Sequence, residues 1–180
     1  VHLDCVAAAA PNGTHTVNLI SETYNQHLVI DLDDLAPTEK TTGTEPLLKG
    51  IFAGLLEKGC KVEGFDAYVT SNVIGGAGVS SSASFEMLVC VIVDYLFNEG
   101  KIDVVTYAKA GQYAENKYWL KGSGLLDQLA CAVGGMITID FADIENPAIR
   151  EIKCDFDEMK HVLVIINTGK GHADLSAEYS

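Results

Sequence analysis

Between residues 65 and 97 a strand-like segment, a glycine loop and a long apolar run follow one another, and no other feature restricts this chain so much. Phe65-Asp66-Ala67-Tyr68-Val69-Thr70 reads as a strand. Gly75-Gly76-Ala77-Gly78-Val79-Ser80-Ser81-Ser82-Ala83-Ser84 comes next, with three glycines and then four serines in five positions. Phe85 to Phe97 is apolar almost throughout. A helix over 81–97 would be apolar nearly all round, so it belongs at the centre of the fold. Its first turn leaves four backbone N–H groups without partners and carries partial positive charge. Glycines let a ligand approach the backbone, and serine hydroxyls add donors and a candidate metal ligand. Together these make a phosphate cradle. The plainer alternative is a glycine turn capped by serine.

Two familiar phosphate loops do not fit. The Walker A loop carries a lysine after its last glycine, and here Val79 follows Gly78. The dinucleotide fingerprint requires a third glycine, where this chain has Ser81. The next acid, Asp94, lies inside the apolar helix rather than after a second strand.

The net charge of −13 repels nucleic-acid backbones and anionic membranes. A loop of backbone donors could still hold an anionic phosphate, with magnesium offsetting the remaining charge. Five cysteines, at 5, 60, 90, 131 and 154, form no CxxC pair, which favours a reducing compartment and hence the cytoplasm. No apolar run reaches the ~18 residues of a membrane span, and the start has no basic signal-peptide region. Val1 to Val6 reads as a strand already under way, so the chain is expected to begin inside a longer protein.

Residues 3–10 and 14–20 read as two strands joined at Pro11-Asn12-Gly13-Thr14, because Asn-Gly is the strongest short hairpin signal. Leu28 to Asp31 is a third strand, and 33–44 is an acidic, Thr-rich loop. Apolar positions 47, 48, 51, 52, 55 and 56 predict a helix from Pro46 to Lys58, closed by Gly59. Residues 62–72 are a strand, 102–119 and 124–133 are helices, and 136–140, 149–152 and 161–167 are strands. The last segment, from about Asp174, reads as helical. Glu115 falls late in the helix 102–119, and Asp127 in the first turn of the helix 124–133. Each has an ordinary reading, as an exposed helix carboxylate or as an acid complementing a helix start.

The loop Gly76 to Ser84 resembles the second signature of the GHMP small-molecule kinases, and within them that of the galactokinases, Pro-x-Gly-(Gly/Ala)-Gly-Leu-Ser-Ser-Ser-Ala-Ser. Ile74 stands in place of the proline and Val79 in place of the leucine. Gly124-Leu125-Leu126-Asp127-Gln128, twelve residues after Glu115 by its aspartate, resembles the family's Gly-(Ile)-Met-Asp-Gln segment. Asn167-Thr168-Gly169 with His172-Ala173-Asp174-Leu175-Ser176-Ala177-Glu178-Tyr179 resembles the run Asn-Ser … His-x-Leu-x-x-x-Glu-Tyr, with one extra residue or a shifted register after His172. Lys49-Gly50 also matches, while Thr44 stands where an aromatic is usual. The family's first signature would precede Val1 and its third would follow Ser180.

The resemblance implies an α+β fold. Residues 1–152 would be a GHMP-kinase-like N-terminal domain (ribosomal S5 domain 2-like), incomplete at its start, and 153–180 the start of a second α+β domain. It implies that Gly76, Ala77, Gly78, Val79, Ser80, Ser81 and Ser82 hold the phosphates of ATP. Ser82 and Glu115 would bind Mg2+. Asp127 would be the catalytic carboxylate, and Gly124, Asp127 and Tyr179 would meet a galactose-type sugar. The implied reaction is ATP-dependent phosphorylation of the sugar's anomeric hydroxyl. Another GHMP sugar-1-kinase, a non-catalytic sensor of sugar and ATP, and an inactive fragment remain open alternatives at this point.

Overall fold

The computed structural model describes residues 3–156 and 158–166. Four strands make the main sheet: β1 (Cys5–Pro11), β2 (Thr16–Ser21), β3 (Gln26–Asp31) and β4 (Phe65–Ser71). Their spatial order is β1-β4-β2-β3. β4 runs antiparallel to β1, with Ala9 opposite Ala67, and parallel to β2, with Leu19 opposite Ala67.

This order corrects the expected hairpin. The Asn12-Gly13 turn does form, with Gly13 at φ 70° and the Asn12 side chain donating to Thr16 O at 2.9 Å and to Asp66 Oδ1 at 2.9 Å. The two strands it joins are nevertheless separated by β4. A turn residue sets the local bend, but ladder partners are chosen by what fills the sheet centre. Phe65, Ala67 and Val69 all point into the core and are buried, so β4 takes the central place.

Helices α1 (Thr44–Glu57), α2 (Ser81–Phe97) and α3 (Val104–Lys117) supply the rest of the core. The stripe Leu47, Leu48, Ile51, Phe52 and Leu55 is buried, as its helical spacing predicts. It meets Val17, Leu19, Ile30 and Phe65, and the rings of Phe52 and Phe65 meet edge-on at 6.1 Å. α1 and α3 approach closely because Gly50 faces Ala114. A Cβ added at Gly50 would lie 2.7 Å from Ala114 Cα. The opposite sheet face stays open, with Val6, Ile20, Tyr68 and Val29 exposed.

α4 (Leu126–Val133) packs on α2 and α3, and a two-stranded sheet of β5 (Ile137–Asp140) and β6 (Ala148–Glu151) follows. Leu125, Leu129 and Ala108 form a second small core, against which Ile139 and Ile149 pack. The predicted helix 102–119 ends at Lys117, which leaves Trp119 in a turn beyond it. The predicted strand 161–167 does not form over 161–166. Val162, Leu163, Val164, Ile165 and Ile166 are exposed there, because a strand needs a neighbouring ladder and no described residue supplies one. Asn167 and the predicted helix from Asp174 lie outside the described residues.

Candidate functional site

The loop after β4 turns through left-handed backbone at Gly76 (φ 72°), Gly78 (φ 71°) and Ser80 (φ 55°). The glycines adopt this conformation without strain, whereas Ser80 does so at some cost. No atom lies within 4 Å of a Cβ added at Gly76 or Gly78, so both face open space. Ser80 precedes α2 without giving it a side-chain cap. The first-turn N–H groups of a 17-residue helix therefore open toward the loop. Such an end can accept an anion.

Ser82, in the first turn of α2, donates to Glu115 Oε1 at 2.9 Å. Glu115 stands near the end of α3 and is 2 % exposed. Two groups missed in the sequence complete its surroundings. Lys121 Nζ lies 2.9 Å from the same Oε1, and the Ser123 hydroxyl donates to Oε2. Ser123 is held in turn by Asn116, whose Oδ1 accepts from Ser123 N at 2.7 Å. Burial alone would raise the Glu115 pKa, but donation from Ser123, Lys121 and Ser82 holds it below the usual glutamate value. A carboxylate beside a hydroxyl suits a hard divalent cation whose other ligands are water and phosphate oxygens. No cluster of three or more His, Cys, Asp or Glu side chains of the kind that holds a metal occurs among the described residues.

A second carboxyl lies behind this pair. Glu86 is fully buried on α2, and its Oε2 accepts from Gln128 Nε2 at 3.1 Å. Burial and the charge of Glu115 push its pKa up to about 8, so the neutral form is favoured at neutral pH. Its signal in the sequence was a carboxylate within an apolar helical run, a place where charge is costly and which it shares with Asp94.

Gly124, just before α4, and Asp127, in its first turn, are exposed, while Gln128 faces inward. Asp127 has no hydrogen bond among the described residues. The structure thus joins Ser82 to Glu115 directly, and α4, which carries Asp127, packs on both α2 and α3. Tyr179 lies outside the described residues.

The loop, the helix order and the sheet define a class. A family model described as the GHMP kinases N terminal domain matches residues 46–135, half of the chain, and the chain belongs to that family. A D-glycero-D-manno-heptose 1-phosphate kinase from Bacteriodes thetaiotaomicron shares the fold at TM-score 0.64 with 13% identity, over 86% of this chain and 49% of that one. Closer in sequence are galactokinases. The chain is 32% identical over 178 residues to a galactokinase from Clostridium tetani, across 99% of this chain and 44% of that protein. A Lactococcus lactis galactokinase complexed with galactose matches at TM-score 0.72 and 26% identity, over 85% of this chain and 40% of that one. The chain spans less than half the length of these relatives.

Proposed function

We propose that this chain is the central part of a galactokinase-like enzyme, which moves the γ-phosphoryl group of ATP to the anomeric hydroxyl of a galactose-class sugar. The observation that carries the reading is the Ser82–Glu115 pair at 2.9 Å beneath the uncapped start of α2. A phosphate loop, a hydroxyl and a buried carboxylate stand together where a metal–nucleotide could be held.

ATP, when bound, supplies the phosphoryl group, and magnesium offsets its charge. Residues 76–82 would hold the β- and γ-phosphates through backbone N–H groups and serine hydroxyls. Ser82 and Glu115 would ligate the cation, with Lys121 beside them on Glu115. Asp127 would orient the sugar hydroxyl and take its proton as the new O–P bond forms and ADP leaves. Phosphoryl transfer depends chiefly on position and charge stabilisation, so a weak acid such as a sugar hydroxyl can lose its proton late. Gly124 and Tyr179 would contact the sugar. Residues 1–152 would form the nucleotide-binding domain and 153–180 the start of the next. No helix among the described residues is long and apolar enough to cross a membrane.

The test is a coupled assay with ATP and galactose on the complete protein. Asp127→Asn should lower kcat by roughly 10²–10⁴-fold, while stability changes by no more than the roughly 0.3–1 kcal/mol of a helix-end charge. Ser82→Ala should raise the magnesium concentration needed for half-maximal rate. An Asp127→Asn variant that keeps its rate would remove Asp127 from the chemistry. Nucleotide and sugar binding without turnover in the parent would point to a sensor instead.

A further inference from the structure

Thr44, the first residue of α1, stands where the family that this chain resembles usually has an aromatic, and a threonine offers no ring face to a base. The structure places a cavity of about 230 Å³ at this point. Its walls include Thr44 and Leu47 from the start of α1, Ser82 from the start of α2, and three aromatics, Tyr24, Phe85 and Trp119. The volume lies below the roughly 300–1,000 Å³ of whole-ligand pockets, which suits a ring rather than an entire nucleotide. The serine wall joins it to the loop where the phosphates would lie.

Trp119 reaches the cavity because α3 stops at Lys117. Its backbone N–H donates to Ala114 O at 3.2 Å, and the chain then turns through Leu120 at φ 54°. The indole Nε1 donates to Gly43 O at 2.9 Å, beside Thr44. The ring's only polar group is thereby satisfied, and the indole is tied to the residue before α1. A large, oriented π surface thus stands next to the position that lacks one. Tyr24, in the β2–β3 turn, lines the cavity near the other end of the loop. Its hydroxyl would lie 3.0 Å from a Cβ added at Gly75.

We infer that Trp119 is the base-stacking residue of this chain's nucleotide site and supplies from the end of α3 the aromatic surface that position 44 lacks. The inference rests on the reading of residues 76–82 as a phosphate site. The ligand class is a purine nucleoside di- or triphosphate, with its base against Trp119 and its phosphates on the loop. Stacking of a base on an aromatic side chain tolerates any orientation within the plane, so a ring from a different element can take this role.

Binding measured by calorimetry on the complete protein separates the possibilities, with Mg-ADP and Mg-tripolyphosphate as probes. Trp119→Ala should weaken ADP by roughly 10- to 100-fold and leave tripolyphosphate, which has no base, within about twofold of the parent. Trp119→Phe keeps a ring but loses the bond to Gly43 O, and should recover most of the ADP affinity. Trp119 is the only tryptophan of these 180 residues, and the difference in emission between the parent and Trp119→Phe isolates its signal in the complete protein: ADP should change that difference and tripolyphosphate should not. Unchanged ADP affinity in Trp119→Ala overturns the inference, as does an equal loss of both probes in Trp119→Ala and Trp119→Phe. If the parent binds ADP tightly but not through the ring, only this inference falls. If it binds neither probe, the phosphate-site reading falls with it.

Discussion

Asp94 and Glu86 stand eight residues apart on α2, at 1 % and 0 % exposure, yet their surroundings differ sharply. Asp94 accepts from Lys101 N at 2.9 Å, from Ile102 N at 3.2 Å and from the Tyr107 hydroxyl at 2.5 Å. It ties the turn after α2 to α3. Glu86 has one donor, Gln128, and its Oε1 accepts nothing among the described residues. A buried carboxylate is tolerable when several donors meet it and is otherwise driven to take up a proton. The helix therefore has a closed end, where a charge organises backbone, and an open end near the loop, where a neutral carboxyl backs Glu115. Residual polar capacity collects beside the candidate site, and the distant end is saturated.

The largest effect expected from breaking this contrast is at Asp94. Asp94→Ala would remove the acceptor of two part-buried backbone N–H groups and of the buried Tyr107 hydroxyl, with a loss of about 3–5 kcal/mol. Urea unfolding measures it, and a loss below 1 kcal/mol would mean that the two ends are not distinct. Glu86 comes next and acts through pH. Its folded pKa is raised from 4.5 to about 8, so the folded state binds the proton more tightly than the unfolded chain. That stabilisation is complete below about pH 4.5 and is lost as pH rises toward 8, by on the order of several kcal/mol. Glu115, with a lowered pKa, acts in the other direction and only in more acid solution. Glu86→Gln should flatten the stability profile between pH 5 and 8 and leave the variant more stable than the parent at pH 8. A slope that survives the substitution would assign it to another group. Asp103 gives the smallest change. It caps α3 from the surface, accepting from Thr106 N at 3.0 Å, and Asp103→Ala should cost about 1 kcal/mol. A cost equal to that of Asp94 would show that burial is not what separates them.

Much of the candidate site was legible in the sequence because it is written locally. The loop, the start of α2 at Ser81, and the segment around Asp127 depend on residues a few positions apart. Ser82 and Glu115, assigned together from the resemblance, do meet in space. Lys121 and Ser123 were not legible as partners of Glu115, since nothing in a single short window marks a side chain that folds back from a connecting turn. Trp119 was hidden by a helix boundary placed two residues too late, which turned a cavity wall into one more helical position.

The sequence by itself determined the glycine–serine loop, the buried helix behind it, the helical stripe of α1 and the kinship with the GHMP kinases. Periodicity and turn chemistry act over a few residues, so they can be read without the fold. Only the tertiary structure decided that β4 enters between β1 and β2, that Glu86 is left short of donors, and that an indole stands beside Thr44. Those outcomes depend on which surfaces are buried together across dozens of residues, and the free energy of that burial belongs to the assembled core rather than to any segment of it.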